Sequence, residues 1–242
     1  MFNKAIKKYK ETSNLNSFEL KAVFFDMDGV LFDSMKYHAS SWQKAMNDIG
    51  IQFTEYEGYL NEGRTGHSTI NGAFMREYNR EATEEEKQTI YRLKSNYFEA
   101  CGKSPVMPCA GELLEKVKAQ NLGIYLVTGS GQLSLLDGLQ QHFPGIFVKE
   151  RMVTAYDVTQ GKPHPEPYLQ ALKKSGLAAN EVMVIENAPL GVQSAKAAGL
   201  FVIAVNTGPL DEKVLWDSGA DIVLSGMEEL YEKWEEEVRS LQ

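Results

Sequence analysis

An apolar run that stops on two carboxylates constrains this chain more than any other stretch. Ala22-Val23-Phe24-Phe25 leads into Asp26-Met27-Asp28-Gly29. Four consecutive apolar residues bounded by a turn signal read as a buried strand. Residues i and i+2 of a strand project to one side, so Asp26 and Asp28 come close together at its end. Two such carboxylates repel unless a cation or a shared proton offsets them. Gly29 permits a sharp turn and close approach to a ligand. The same form recurs downstream. Residues 124–127 run into Thr128-Gly129-Ser130, residues 182–185 into Glu186-Asn187, and residues 201–205 into Asn206; residues 221–224 read as an edge strand. Helical stretches lie between, such as 189–198, where Pro189 suits the first turn and Gly199 the C-terminal end. This alternation predicts an α/β fold with a doubly wound parallel sheet. Polar residues that follow its strands gather at one edge, where ligands bind. Asp26, Asp28, Thr128, Glu186 and Asn187 all fall there.

Residues 35–104 break the alternation and read as helical. Met35, Ala39, Trp42, Met46 and Ile49 recur at a spacing of three and four, an amphipathic stripe. Thr83-Glu84-Glu85-Glu86 has the form of a capping box opening a further helix, with Ile90, Leu93 and Tyr97 along one face. The stretch 101–108 reads as the return linker. The expected organisation is therefore an N-terminal extension over 1–17, a core from 18–34 and 105–242, and a helical insert over 35–104. Residues 1–17, rich in lysine, read as a short basic helix or tail with a linker, outside the fold.

With 242 residues, 43% of them hydrophobic, the chain can bury a substantial core. A net charge of −8 disfavours nucleic acid as a partner, and it means that an anionic substrate must be met by locally placed cations. No apolar run reaches transmembrane length, and the N-terminus lacks a signal peptide's apolar segment. Cys101 and Cys109 are the only cysteines, without a zinc-like spacing. A cytoplasmic, monomeric protein without membrane contact is the expectation.

The ordered set DxDG at Asp26–Gly29, then Thr128, Lys162 and Glu186-Asn187 resembles the haloacid dehalogenase superfamily of phosphotransferases, in its β-phosphoglucomutase-like branch with a helical cap. Glu62-Gly63-Arg64-Thr65-Gly66 and the segment 185–192 look most like its inorganic-pyrophosphatase-like members. The resemblance implies a Rossmann-like catalytic core, a cap over residues 35–104 that closes on the site, and an aspartyl-phosphate, with Asp26 as nucleophile and Asp28 as acid and base. Such chemistry needs Mg²⁺ to offset anion–anion repulsion, and Asp26, the Asp28 carbonyl and Asn187 offer hard oxygen donors. Lys162 would neutralise the transferring group, while Thr128 and the amides of Gly129 and Ser130, opening a helix, would hold its oxygens. A generic dinucleotide-binding protein is disfavoured, because no G-x-G-x-x-G follows the first strand.

One departure stands out. Asn187 lies where the family usually has Asp, so the metal site loses a negative charge. Glu186 is expected either to ligate the metal or to orient its water. Glu62, beside the specificity loop, is a candidate for the missing anion, and Arg64 for binding a distal phosphate. Lys94 is expected to point at a phosphate and His38 to assist cap closure and acid–base positioning. These residues predict a Mg²⁺-dependent phosphohydrolase acting on a small phosphorylated substrate, foremost inorganic pyrophosphate. The alternatives are a β-phosphoglucomutase and a catalytically silent binding protein.

Overall fold

The structure, a computed structural model, describes residues 1–131 and 133–239. Helix α1 (Phe2–Thr12) precedes strand β1 (Ala22–Phe25). A helical block follows: α2 (Met35–Asp48), α3 (Glu55–Leu60), α4 (Gly66–Tyr78) and α5 (Glu84–Ala100). The chain returns through α6 (Ala110–Ala119), β2 (Gly123–Val127), α7 (Leu133–His142), β3 (Met152–Val153), α8 (Glu166–Ser175) and β4 (Val182–Glu186). It ends with α9 (Pro189–Ala197), β5 (Phe201–Val205), α10 (Glu212–Asp217), β6 (Ile222–Leu224) and α11 (Met227–Arg239).

The six strands form one sheet in the order β3-β2-β1-β4-β5-β6, every pair parallel. Phe25 lies opposite Leu126 on one side and Ile185 on the other. The chain runs outward from β1 through β2 and β3, then crosses to β4. β1 therefore sits at the switch in strand order, where a crevice opens beyond the strand ends. Alternation along β1 sends Val23 and Phe25 into one apolar cluster and Ala22 and Phe24 into the other. Phe24 and Phe25 are fully buried, and each such side chain contributes roughly 1.5–3 kcal/mol.

The N-terminal segment departs from expectation. Phe2, Ile6 and Tyr9 are buried in the larger cluster, the Met1 ammonium pairs with Glu237 at 2.6 Å, and the Tyr9 hydroxyl donates to the Gly199 carbonyl at 2.6 Å. Residues 2–12 are thus part of the packed fold, not a tail outside it; the interspersed lysines masked an amphipathic period. At the far end, Met227, Leu230, Trp234 and Val238 turn one face of α11 inward, leaving its acidic residues toward solvent.

The helical block has its own apolar cluster around Trp42, Met46, Phe53, Ile70, Phe74 and Ile90. Capping boxes open α3 at Thr54/Glu57 and α5 at Thr83/Glu86. The buried face of α5 is Lys87, Ile90, Lys94 and Phe98, whereas Leu93 and Tyr97 are only half-buried. The chain leaves and re-enters the sheet layer through paired strands of backbone: Asp33 N–H donates to Pro105 at 2.9 Å and Met107 N–H to Leu31 at 2.9 Å. Among the described residues no helix is long and apolar enough to cross a membrane, and Cys101 and Cys109 are free thiols.

Candidate active site

β1 delivers Asp26 to the crevice, and the Asp26 amide continues the strand by donating to Ile185 at 3.0 Å. Its Oδ1 accepts from Lys162 Nζ at 2.6 Å. The same ammonium donates to Glu186 Oε1 at 2.6 Å and to the Val127 carbonyl at 3.0 Å. Burial opposes the charge on Lys162, but Asp26 and Glu186 together hold it above the ordinary lysine value. Burial pushes Asp26 upward; Lys162 pulls against it, while Glu186 and Asp28 add to the rise. A cation next to Asp26 would reverse that shift.

Glu186 does not match the role expected of it. Its Oε1 accepts from Lys162 and from the Tyr168 hydroxyl at 3.0 Å, and its Oε2 from the amides of Asn187 and Ala188 at 2.9 and 3.0 Å. A carboxylate occupied on both oxygens fixes the lysine instead of offering free lone pairs to a metal. Tyr168 was not foreseen. It lies in the first turn of α8 beyond the lysine loop, and its ring lies 5.3 Å from Nζ.

Asp28 belongs to a separate chain of contacts. Its Oδ1 accepts from Ser34 Oγ at 2.5 Å and lies 2.9 Å from His38 Nε2, while Lys94 Nζ is 2.7 Å from His38 Nδ1. An ammonium only donates, so Nδ1 accepts and the ring proton sits on Nε2, donated to Asp28. Burial and the Lys94 charge lower the His38 pKa, in keeping with a neutral ring. For Asp28, burial is outweighed by His38, Ser34 and Lys94, which together hold the carboxyl below its usual value. His38 and Lys94 therefore converge on Asp28. Ser34, at the N-cap of α2, was also missed.

Thr128 is buried after β2, and its Oγ1 accepts from the Ser130 amide at 3.0 Å. The Ser130 amide is thus already engaged by Thr128, two residues before it, and Gly129 and Ser130 line the cavity beside Thr128.

The turn between α3 and α4 brings Glu62 and Arg64 over this edge. Glu62 is buried, and its Oε1 accepts from Asn187 Nδ2 at 2.9 Å. Burial, then Asp26, drive its pKa well above the ordinary value, with Asn187 opposing. Arg64 Nη1 donates to Ser68 at 3.2 Å, while its Nε is buried without a partner. A cavity of about 50 Å³ remains between block and sheet, lined by Asp26, Asp28, Trp42, Glu62, Arg64 and Tyr91 among others.

No group of three or more His, Cys, Asp or Glu side chains is arranged to hold a metal ion among the described residues. A cation site here must therefore mix donors. Asn187 Oδ1 is buried with no hydrogen-bond partner, and an acceptor in that state has lost its solvation uncompensated. A hard cation beside Asp26 would satisfy it, so the oxygens present fit Mg²⁺. Gly29, at φ +83°, makes room: a Cβ there would lie 2.0 Å from Asn187 Nδ2.

A parallel sheet with two carboxylates and a lysine at its switch point, roofed by helices, defines a class of phosphatases and phosphotransferases. The chain belongs to the haloacid dehalogenase-like hydrolases, whose family model matches residues 20–199. It is 26% identical to the β-phosphoglucomutase of Bacillus subtilis, over 90% of this chain and 96% of that one. It is 30% identical to hexitol phosphatase A of Escherichia coli, over 87% and 93%. A solved structure from Bacteroides vulgatus, provisionally described as a β-phosphoglucomutase, superposes with a TM-score of 0.96 at 52% identity, covering 100% of this chain and 98% of that one.

Proposed function

We propose that the protein transfers the phosphoryl group of a small phosphorylated substrate through an aspartyl-phosphate on Asp26, with residues 35–104 acting as a cap. The observation that carries this reading is Lys162, gripped between Asp26 and Glu186 at 2.6 Å from each. A lysine so placed neutralises charge on the transferring group without leaving the nucleophile. Asp26 attacks phosphorus as the bond to the leaving oxygen breaks, and Asp28 supplies that oxygen's proton. His38 Nε2 holds a proton 2.9 Å from Asp28, and Lys94 can replace it at Nδ1. Asp28, ionised again, then takes a proton from the acceptor, whose oxygen displaces Asp26 from phosphorus. When bound, Mg²⁺ supplies positive charge that offsets repulsion between Asp26 and the phosphate; Asp26, Asn187 and the Asp28 carbonyl would hold it.

The named relatives favour carbohydrate phosphates for the finer assignment: a β-phosphoglucomutase, a hexitol phosphatase, and glycerol-1-phosphate phosphohydrolase 1 of Saccharomyces cerevisiae at 28% identity over 88% of this chain. One observation favours inorganic pyrophosphate instead. Glu62 fills the space at Asn187, and the cavity of about 50 Å³ is far smaller than the roughly 300 Å³ and above of typical ligand sites. The test is Mg²⁺-dependent phosphate release from pyrophosphate, hexitol phosphates and glycerol 1-phosphate, with Asp26→Asn as the blank. Alongside it runs an assay for conversion of β-glucose 1-phosphate to glucose 6-phosphate. Release from polyol phosphates, or the conversion, supports the carbohydrate reading; a dominant pyrophosphate activity supports the other. Full activity of Asp26→Asn would overturn the mechanism.

A further inference from the structure

We infer that Gly129, Gly161 and Gly208 are positioning residues whose missing side chains let the helical block seat on the catalytic edge. This rests on the phosphoryl-transfer reading for its kinetic readout only. The three glycines lie on separate loops: after β2, just before Lys162, and after β5. Their φ angles lie outside the left-handed range, so the backbone at these places accepts alanine. Space is what forbids it. A Cβ on Gly129 would lie 2.2 Å from the Gly63 carbonyl oxygen, one on Gly161 2.6 Å from Thr65 Cγ2, and one on Gly208 3.1 Å from the Tyr59 ring.

All three obstacles belong to one stretch of the block, residues 59–65. That stretch carries Glu62 and Arg64, and it sets Gly63 against Lys162, whose Cδ would lie 3.0 Å from a Cβ there. Two of the obstacles are backbone and a β-branched methyl, which cannot swing aside as the end of a flexible side chain would. A methyl on the core loops must therefore lift the whole stretch, drawing Glu62 from Asn187 and admitting water to the site. Three core loops reading one cap segment make closure dependent on the positions that hold the phosphoryl group and the lysine.

The decisive experiment pairs Gly161→Ala with Thr65→Ser. The serine removes the Cγ2 methyl that a new Cβ would strike but keeps the hydroxyl, which caps α4 by accepting from Ser68 N–H. Relieving a 2.6 Å contact takes about 1 Å of movement, so Gly161→Ala should lower kcat/KM for phosphate release about 100-fold. Its Tm should be unchanged and its radius of gyration by small-angle scattering larger. Adding Thr65→Ser should recover about tenfold or more, an interaction that independent sites do not show. Gly208→Ala with Tyr59→Ala offers the same cycle at a second loop. Wild-type kcat/KM and radius of gyration in Gly161→Ala, or a loss that Thr65→Ser leaves untouched, would overturn the inference. Asp26→Asn separates the two readings: if it retains activity, the chemistry proposed above fails, while the scattering comparison still judges closure.

Discussion

Lys94 is the most exposed to argument of the single residues, because its buried ammonium is hydrogen-bonded to a neutral imidazole and not to a carboxylate. It is 2% exposed, lies 4.8 Å from the Phe98 ring centroid and 5.6 Å from that of Trp42, and donates to a neutral His38. Burial brings its pKa down to about 7, with the Asp28 charge opposing. The native state therefore gives up a proton near pH 7 that the unfolded chain keeps until about 10.5. Because the unfolded state binds more protons across that window, stability rises with pH through it, and the full cost of burying the charge is felt below pH 7. Lys94→Met should accordingly be more stable than the wild type at pH 6, by roughly 2 kcal/mol once the lost His38 hydrogen bond is set against the relieved charge. The margin should narrow toward pH 10 in urea denaturation curves; a margin that stays flat would sink the argument. The sequence marks Lys94 as out of place on an apolar helical face. It does not show that His38 intervenes between this lysine and Asp28, since that contact joins residues on α2 and α5.

Among the elements, α1 makes the sharpest case. Tyr9 is buried against Phe18 and Phe201 with edge-on ring contacts at 6.0 and 5.5 Å, and its hydroxyl fastens the helix to the turn after α9. Tyr9→Ala should cost about 3–5 kcal/mol in chemical denaturation, in the range of large aromatic truncations. Activity per folded molecule should stay the same, because Tyr9 packs on Phe18 and Phe201 and bonds to Gly199, none of them at the site. A loss under 1 kcal/mol would return residues 2–12 to the status of an appendage. The strands at the centre of the sheet were legible because burial on both faces leaves uninterrupted apolar runs. β3 was not, since Met152–Val153 is two residues long and its place comes from pairing with Leu126 and Val127. α1 was missed for a different reason: three apolar contacts spaced by four and three carry it, and the four lysines at 4, 7, 8 and 10 dominate the composition.

At the scale of the molecule, the site exists only where two separately packed layers meet. The catalytic edge of the sheet supplies Asp26, Lys162 and Asn187, each recognisable from its place after a strand or in a proline-rich loop. The roof supplies Glu62, and its partner Asn187 is 125 residues away, so no local pattern could decide whether the two touch. Nor could it show that both oxygens of Glu186 are already taken by Lys162, Tyr168 and two amides. On the proposed Mg²⁺ reading, Glu186 so engaged and Asn187 uncharged would leave a divalent cation one anion short, and Glu62, 2.9 Å from the Asn187 side chain, is the acid placed to supply it. Removing that charge while keeping the shape, as in Glu62→Gln, should raise the Mg²⁺ concentration for half-maximal activity about 10–100-fold, the usual cost of losing a group that supports a metal's ligands. The fold and the cap contacts should persist, because the amide can still meet Asn187. Activity titrated against Mg²⁺ in the wild type and the variant decides it: coincident curves would make Glu62 a plain closure contact, and a shifted curve with similar maximal turnover would make it part of the cation's surroundings.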